Sequence, residues 1–408
     1  MSGRHRPIDE ERPLAKRLCR VAATVLLTMT LGGTAMGDDL TPRAAIERLF
    51  SAEPAEDWFT PAFAAQVPPE RVRQIVADLT GRYGRLEDVR ESGEGFAVSL
   101  ERADIPTQIV LDGDGRIAGL LFRTPVVTSG SLDQHVATIA ALPGRTAVLV
   151  VSDGAERAAH DAATPLAVGS AAKLAIVKAV KDAVTGGRLG WEQVVMLDSA
   201  WRSLPTGILQ DWPPRTPVTI ATLVNLAVSI SDNTAADALL HTVGREAVEA
   251  ISPRNRPFLA TRELFQLKMR TNADLRAAWA VSSAVERRSI LDRLSEKPEP
   301  RAAALERSAT SDVEWHLSAV ELCDLLAAVA DLEAFRINPG LADPAAWARV
   351  AYKGGSEAGV LNLSTLLVAA DGTRHCVIAT WNDAKTLDEQ RLMVPYRAIL
   401  EALARQQG

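Results

Sequence analysis

The sequence predicts an α+β fold in two units, a small one over residues 38–128 and a larger one over residues 129–408. Three observations carry this expectation. Within the first unit the hydrophobic pattern switches from helical spacing, closed by Gly84, to strand-like alternation from Gly95 onward. In the second, strand-like stretches at both ends flank a long helical middle, so the sheet must be assembled from both ends with a helical insert between. Finally, 408 residues with 47% hydrophobic and 24% charged side chains are an ordinary globular composition, long enough for two domains.

Taken in order, the chain opens with Lys16, Arg17 and Arg20 before the apolar run VAATVLLTMTLGG, followed by small residues Ala35 and Gly37. A charged flank, a short apolar stretch and a small-residue site read as a secretory signal peptide over residues 1–37, cut near Gly37. The run is shorter than the ~20 residues a membrane span requires. The expectation is therefore export, to a periplasm or to the outside.

TPRAAIERLF reads as a helix capped by Thr41 with Pro42 at its first position, and PPERVRQIVADLTGRYG as a second helix closed by Gly84. GFAVSLER, PTQIVLDG and GRIAGLLF alternate like strands, with Asp112, Gly113, Asp114 and Gly115 as a turn. A connector runs from Thr124 to Gly130. In the larger unit, SLDQHVATIAALPG is a capped helix ending at Gly144, and RTAVLVVSDGAERAA is a strand, a turn and a strand. A mostly helical stretch covers about 165 to 347. VAYKGG and VLNLSTLLVAADGTRHCVIATW return to strands around an Asp371–Gly372 turn, before a last helix in VPYRAILEALARQ.

Several function classes fall away. The net charge is −6 with both signs interspersed, which offers no basic stripe for nucleic acid. The histidines form no close ligand pair, so no metal and no cofactor is expected. Cys19 precedes the signal's apolar run. Cys323 and Cys376 both lie in apolar segments and are expected as separate buried thiols rather than a bridge.

Three short motifs point to chemistry. In AVGSAAKLAIVKAV, Ser170 and Lys173 stand three residues apart at the start of an apolar helix, on one face. A serine hydroxyl needs a base beside it to act as a nucleophile, and apolar burial can lower a lysine's pKa enough to make it one. Ser231-Asp232-Asn233 sits between two apolar helices, a fixed polar corner. Lys353-Gly354-Gly355 ends an apolar strand, where glycines allow close backbone approach. Each motif alone also fits a bland reading as a cap, a loop or a turn. Their order and their separation, 61 residues from Ser170 to Ser231, make the set specific.

S-x-x-K, S-D-N and K-T-G together are the signature of class A β-lactamases and penicillin-binding proteins. Residues 129–408 resemble that superfamily, class A-like by the S-D-N form, which implies an antiparallel sheet with helices on both faces. The resemblance implies that Ser170 is the acylated nucleophile and Lys173 its general base. It implies that Ser231 relays a proton to the leaving group and that Lys353 stabilises a substrate carboxylate. Asn233, Gly355 and Ser356 would bind substrate, and the backbone N–H groups of Ser170 and Ser356 would form the oxyanion hole. The first unit resembles the cone-shaped domain shared by ketosteroid isomerase and nuclear transport factor 2. Such a domain ahead of a class A-like one, with ATRELFQLK and KGGSEAGVLN, resembles the serine hydrolases found with clavulanic-acid pathways.

The sequence departs from the class A pattern twice. No E-x-x-L-N occurs where a deacylating glutamate would stand; Glu263 is the nearest carboxylate. Gly354 replaces the usual threonine or serine. Both favour a hydrolase of small esters or amides that is weak on β-lactams. The alternatives are a true β-lactamase with an unconventional base, a D,D-peptidase on cell-wall peptide, and a penicillin-binding-like sensor without turnover.

Overall fold

The structure is a computed structural model that describes residues 40–93, 95–204, 206–306 and 312–407. The signal-peptide reading of residues 1–37 lies outside them. Among the described residues no helix is long and apolar enough to cross a membrane.

The first unit packs three helices, α1 (Pro42–Ser51), α2 (Pro61–Gln66) and α3 (Pro69–Tyr83), with an antiparallel sheet. Thr41 caps α1 through its side chain and Gly84, at φ 92°, ends α3, as their residue types require. The sheet runs β1 (Leu86–Ser92), β2 (Gly95–Leu100), β3 (Ala103–Leu111), β4 (Ile117–Phe122) in spatial as well as chain order. Strand β1 was not anticipated: LEDVRES buries only Val89, so its alternation is too faint to read. The connector also differs from expectation, because β5 (Val126–Val127) pairs with the start of β3. Ile46, Val98 and Ile105 form part of the apolar centre beneath α1.

In the second unit α4 (Leu132–Ala140) leads into β6 (Arg145–Ser152) and β7 (Ala155–His160). Next come β8 (Leu166–Ala167), α5 (Lys173–Thr185), and the short pair β9 (Val194–Met196) and β10 (Pro217–Thr219). The helical body continues with α6 (Ile220–Ser229), α7 (Asn233–Val243), α8 (Arg245–Ile251), α9 (Thr261–Lys268), α10 (Ala273–Val281) and α11 (Ala284–Ser295). β11 (His316–Leu317) pairs with β8, and α12 (Ala319–Val329) follows. The chain ends with β12 (Arg349–Tyr352), β13 (Gly355–Glu357), β14 (Val360–Val368), β15 (Arg374–Asn382) and α13 (Gln390–Arg405).

The main sheet has the order β12–β14–β15–β6–β7, with β13 also on β14, and all its pairs are antiparallel. It is assembled from the two ends of the unit, as the pattern predicts. One face packs on α4 and α13 through Ile139, Trp381, Tyr396 and Ile399. The other face packs on the helical body through Leu174, Leu322, Leu366 and Ile378. Covering on both faces explains why β14 and β15 are buried nearly throughout and read as continuous apolar runs. The polar residues inside β14 are satisfied: Asn362 donates to Thr380 Oγ1, Ser364 to Asn362 Oδ1, and Tyr396 to Thr365 Oγ1.

One expectation is corrected here. Cys323 and Cys376 are joined in a disulfide, with their Cα atoms 6.1 Å apart. Both thiols do face apolar surroundings, but the surroundings are the same: α12 lies across β15, which brings together two residues 53 positions apart. Apolar flanks report burial and carry no information about which buried residues meet.

Candidate active site

Ser170 does not sit in the α-helix but in the 3₁₀ turn Gly169–Ala172 that precedes α5, which begins at Lys173. The turn forms because Gly169, at φ 50°, reverses the chain after β8. Such a turn places residues i and i+3 one above the other, and Lys173 Nζ lies 3.3 Å from Ser170 Oγ. Lys173 is only 2% exposed. Burial pulls its pKa from 10.5 down to about 7, against the opposing pull of Asp237, Asp232 and Glu357.

The second motif closes over the same amine. Lys173 Nζ reaches the Ser231 carbonyl at 2.5 Å, Ser231 Oγ at 3.1 Å and Asn233 Oδ1 at 2.6 Å. A neutral amine has two protons and one lone pair. Donating both protons to the Ser231 carbonyl and Asn233 Oδ1 leaves the lone pair for a hydroxyl. Asn233 is itself fixed, with Nδ2 donating to the Leu204 carbonyl at 2.9 Å. Asp232 points away from the cleft: it caps α7 and accepts from the backbone N–H groups of Ile208 and Leu209. Ser231 has φ 58°, a left-handed backbone that is unfavourable for a residue with a Cβ and of the kind found at functional sites. Nothing in the sequence signals that strain.

Lys353 comes from the end of β12. Its Nζ donates to Ser231 Oγ at 3.1 Å and to the Gly354 carbonyl at 2.6 Å. Ser231 Oγ therefore lies within 3.1 Å of two amines. Burial, and then the neighbouring Lys173, hold the Lys353 pKa well below its usual value.

Gly355 explains how β13 meets the serine turn. A Cβ there would stand 2.0 Å from the Val168 carbonyl oxygen and 2.7 Å from the Ser170 amide nitrogen. A Cβ on Gly169 would stand 3.2 Å from the Ser356 amide nitrogen. Two glycines thus let the backbones of residues 169–170 and 355–356 touch, which brings the Ser356 amide close to the serine turn. The three motifs border one cleft of about 400 Å³, open to solvent, together with Tyr352, Glu389 and Met393. Of the seven residues named from the sequence, Ser170, Ser231, Lys353, Gly355 and Ser356 border it, while Lys173 and Asn233 are buried behind its wall, with Lys173 bonded to Ser170, Ser231 and Asn233.

Glu263 does not border the cleft. It is the capping-box residue at the start of α9, accepting from the Ala260 N–H at 2.7 Å and from both Arg245 guanidinium nitrogens at 2.9 and 2.7 Å. Its oxygens are occupied by structure. Among the described residues no carboxylate hydrogen-bonds Ser170 or Lys173, and no cluster of His, Cys, Asp and Glu fit for a metal occurs. The residues that sequence reading missed are Tyr352 and Glu389: the first looks like an ordinary strand tyrosine, and the second comes from a distant helix end.

A sequence model described as the beta-lactamase enzyme family matches residues 132–394. No curated protein gives a significant match. Solved structures with a similar fold include a beta-lactamase from Sphaerobacter thermophilus, at 19% identity and TM-score 0.46, over 67% of this chain and 95% of that one. A beta-lactamase from Chitinophaga pinensis gives 18% identity and TM-score 0.46, over 68% and 98%. The protein PBP-A gives 14% identity and TM-score 0.46, over 67% and 95%.

Proposed function

Since the chain belongs to the beta-lactamase enzyme family, and so is a serine hydrolase of the beta-lactamase/D,D-peptidase superfamily, we propose that it works through an acyl-enzyme on Ser170 and acts on small esters or amides. The observation that carries this reading is the convergence of Ser170 Oγ, the Lys173 and Lys353 amines and Ser231 Oγ in one cleft. The neutral Lys173 amine takes the Ser170 proton as Oγ attacks the substrate carbonyl carbon. The oxyanion that forms accepts hydrogen bonds from the Ser170 and Ser356 amides. Collapse expels the leaving atom, which receives a proton from Ser231 Oγ. That hydroxyl is reprotonated from the lysine amines beside it. Water then hydrolyses the acyl-enzyme and regenerates Ser170.

The site supports weak turnover of β-lactams. Glu263 is tied to Arg245 and Ala260 and is not free to activate water, and losing a general base typically slows attack by water by ~10²–10⁴-fold. A long-lived acyl-enzyme is therefore expected wherever the acyl group holds water off. Export is part of the proposal. It rests on the basic flank and apolar run before Gly37, and the Cys323–Cys376 disulfide suits an oxidising compartment. The isomerase-like first unit is proposed as an accessory domain. It docks beside the catalytic unit, where Arg397 of α13 donates to the Thr124 carbonyl at 3.0 Å.

Intact mass spectrometry after mixing with a panel of β-lactams and activated esters tests the reading, with Ser170→Ala as control. A mass gain equal to the acyl group, absent in the variant, is expected. No adduct on the wild-type chain would favour a binding protein over an enzyme.

A further inference from the structure

We propose that the leaving-group end of this cleft is built to receive a cationic or neutral group and to reject a carboxylate, through a subsite formed by the Tyr352 phenol, the Ser356 hydroxyl and the Glu389 carboxylate. The proposal rests on the serine-hydrolase reading above and adds a substrate class to it.

The argument begins at Gly354. A Cβ on this residue would lie 2.2 Å from Tyr352 Oη and 3.0 Å from Cζ. The volume that a side chain at 354 would fill is thus already taken by the phenol. The Tyr352 ring is held there by Gly340, where a Cβ would stand 2.5 Å from Cδ2. Gly340 has φ 64°, so the backbone conformation also favours glycine. Two glycines make room for one ring, and the ring puts a hydroxyl on the cleft wall. Among the described residues Tyr352 Oη has no hydrogen-bond partner. Burial and then Glu389 push its pKa up to about 12, so the phenol keeps its proton and can donate.

Glu389 stands immediately before α13 and borders the same cleft. Ser356 Oγ donates to its Oε1 at 3.1 Å. Among the described residues bordering the cleft, Lys353 is the one basic side chain, and burial beside Lys173 disfavours its charged form. Its amine is committed to Ser231 Oγ and the Gly354 carbonyl. No arginine borders the cleft among them. A substrate carboxylate laid over Gly354 would therefore meet a carboxylate with no free guanidinium or ammonium to answer it. An ammonium or a hydroxyl in the same place would find Glu389 Oε atoms, the Ser356 hydroxyl and the phenol.

The proton relay decides which end of the substrate this is. The leaving atom must face Ser231, and Ser231 touches Lys353, which Gly354 follows. Whatever hangs from the leaving atom meets Tyr352, Ser356 and Glu389. A carboxylate just ahead of a helix also interacts favourably with the helix N-terminus, so Glu389 has a purely structural reading that the experiment must separate.

Three butanoyl thioesters with one acyl group and different thiols separate them: thiocholine, 2-mercaptoethanol and 3-mercaptopropionate. Thiol release with a disulfide chromogen gives kcat/KM at low ionic strength. The thiocholine ester is expected to exceed the mercaptopropionate ester by ~10-fold or more, the size of a like-charge penalty at a partly exposed site. Glu389→Gln is expected to collapse that ratio to within ~2-fold, whereas a merely structural glutamate would lower thermal stability and leave the ratio alone. Tyr352→Phe keeps the ring and is expected to weaken the hydroxyl-bearing mercaptoethanol ester more than the thiocholine ester. Equal or better turnover of the mercaptopropionate ester, or a ratio unchanged in Glu389→Gln, overturns the subsite. Turnover surviving in Ser170→Ala, or no acyl transfer by the wild-type enzyme, overturns the serine reading instead.

Discussion

Lys173 Nζ lies 2.6 Å from Asn233 Oδ1, an acceptor that orients the amine without charging it. An amide oxygen there is compatible with a neutral lysine; a carboxylate would not be. Because the base is the unprotonated amine and its pKa falls to about 7, acylation should rise with pH through about 7 and level off above it. Asn233→Asp places a negative charge in contact with Nζ, which favours the ammonium and raises its pKa by ~1–3 units. The rising limb of the profile should move to higher pH by that amount. The measurement is the pH dependence of kcat/KM, or of the Ser170 acylation rate, for both proteins. Superimposable profiles would remove Lys173 as the base.

Gly355 is needed for a different reason. A Cβ at this position would collide with three backbone atoms, the Val168 oxygen and the amide nitrogens of Ser170 and Ala171, and none can rotate aside. Gly355→Ala must push β13 off the serine turn, and with it the Ser356 amide. Loss of one oxyanion donor typically lowers kcat by ~10²–10³-fold, and a loss of that order is expected. Gly81→Ala is the control, because a Cβ there meets nothing within 4 Å in an exposed part of α3. It should keep full activity and gain slightly in melting temperature.

The contrast between these residues shows what the sequence can convey. That Ser170, Lys173, Ser231, Asn233 and Lys353 belong together was legible because each stands in a short motif of fixed residue types and local spacing, and the fold brings those motifs into hydrogen-bond contact. The sheet was legible because strand-length apolar runs bounded by turn residues stand at both ends of the unit. Strand β1 escaped because only Val89 is buried in it. Tyr352 and Glu389 escaped because each is ordinary in its own segment and acquires meaning only when the fold brings Glu389 against Ser356 on the cleft that Tyr352 also borders. The pairing of Cys323 with Cys376 escaped for the same reason: it is set by how α12 crosses the sheet.

Glu263 invites a direct experiment, since its sequence position suggests a base and its structure suggests a brace. Both oxygens are engaged by Arg245, and one also by the Ala260 N–H. The pair is mostly buried, with side-chain exposures of 20% for Arg245 and 17% for Glu263. Glu263→Gln should leave deacylation within a factor of ~2, because no general-base contribution of ~10²-fold or more is there to lose. It should lower stability by ~1–3 kcal/mol, since a buried partner of Arg245 is lost. Chemical denaturation and the decay rate of a preformed acyl-enzyme give the two readouts. Accumulation of acyl-enzyme in the variant would restore Glu263 as the deacylating base.

The disulfide ties α12 to β15 on the face of the sheet that supports α5 and the serine turn. It closes a loop of 53 residues, and cross-links of this kind contribute ~2–4 kcal/mol, largely by restricting the unfolded chain. Cys376 is 5% exposed and Cys323 is half-buried, so opening of the helix–sheet seam widens the approach to the bond. Reduction should therefore be faster with denaturant than without it. The double variant Cys323→Ser, Cys376→Ser loses the cross-link but keeps the cleft residues, and should melt several degrees lower while its kcat at moderate temperature stays close to that of the wild type. Calorimetry with and without reductant reads the first effect and thioester turnover reads the second. An unchanged melting temperature in the double variant would mean that the packing of α12 on the sheet, not the bond, holds this seam.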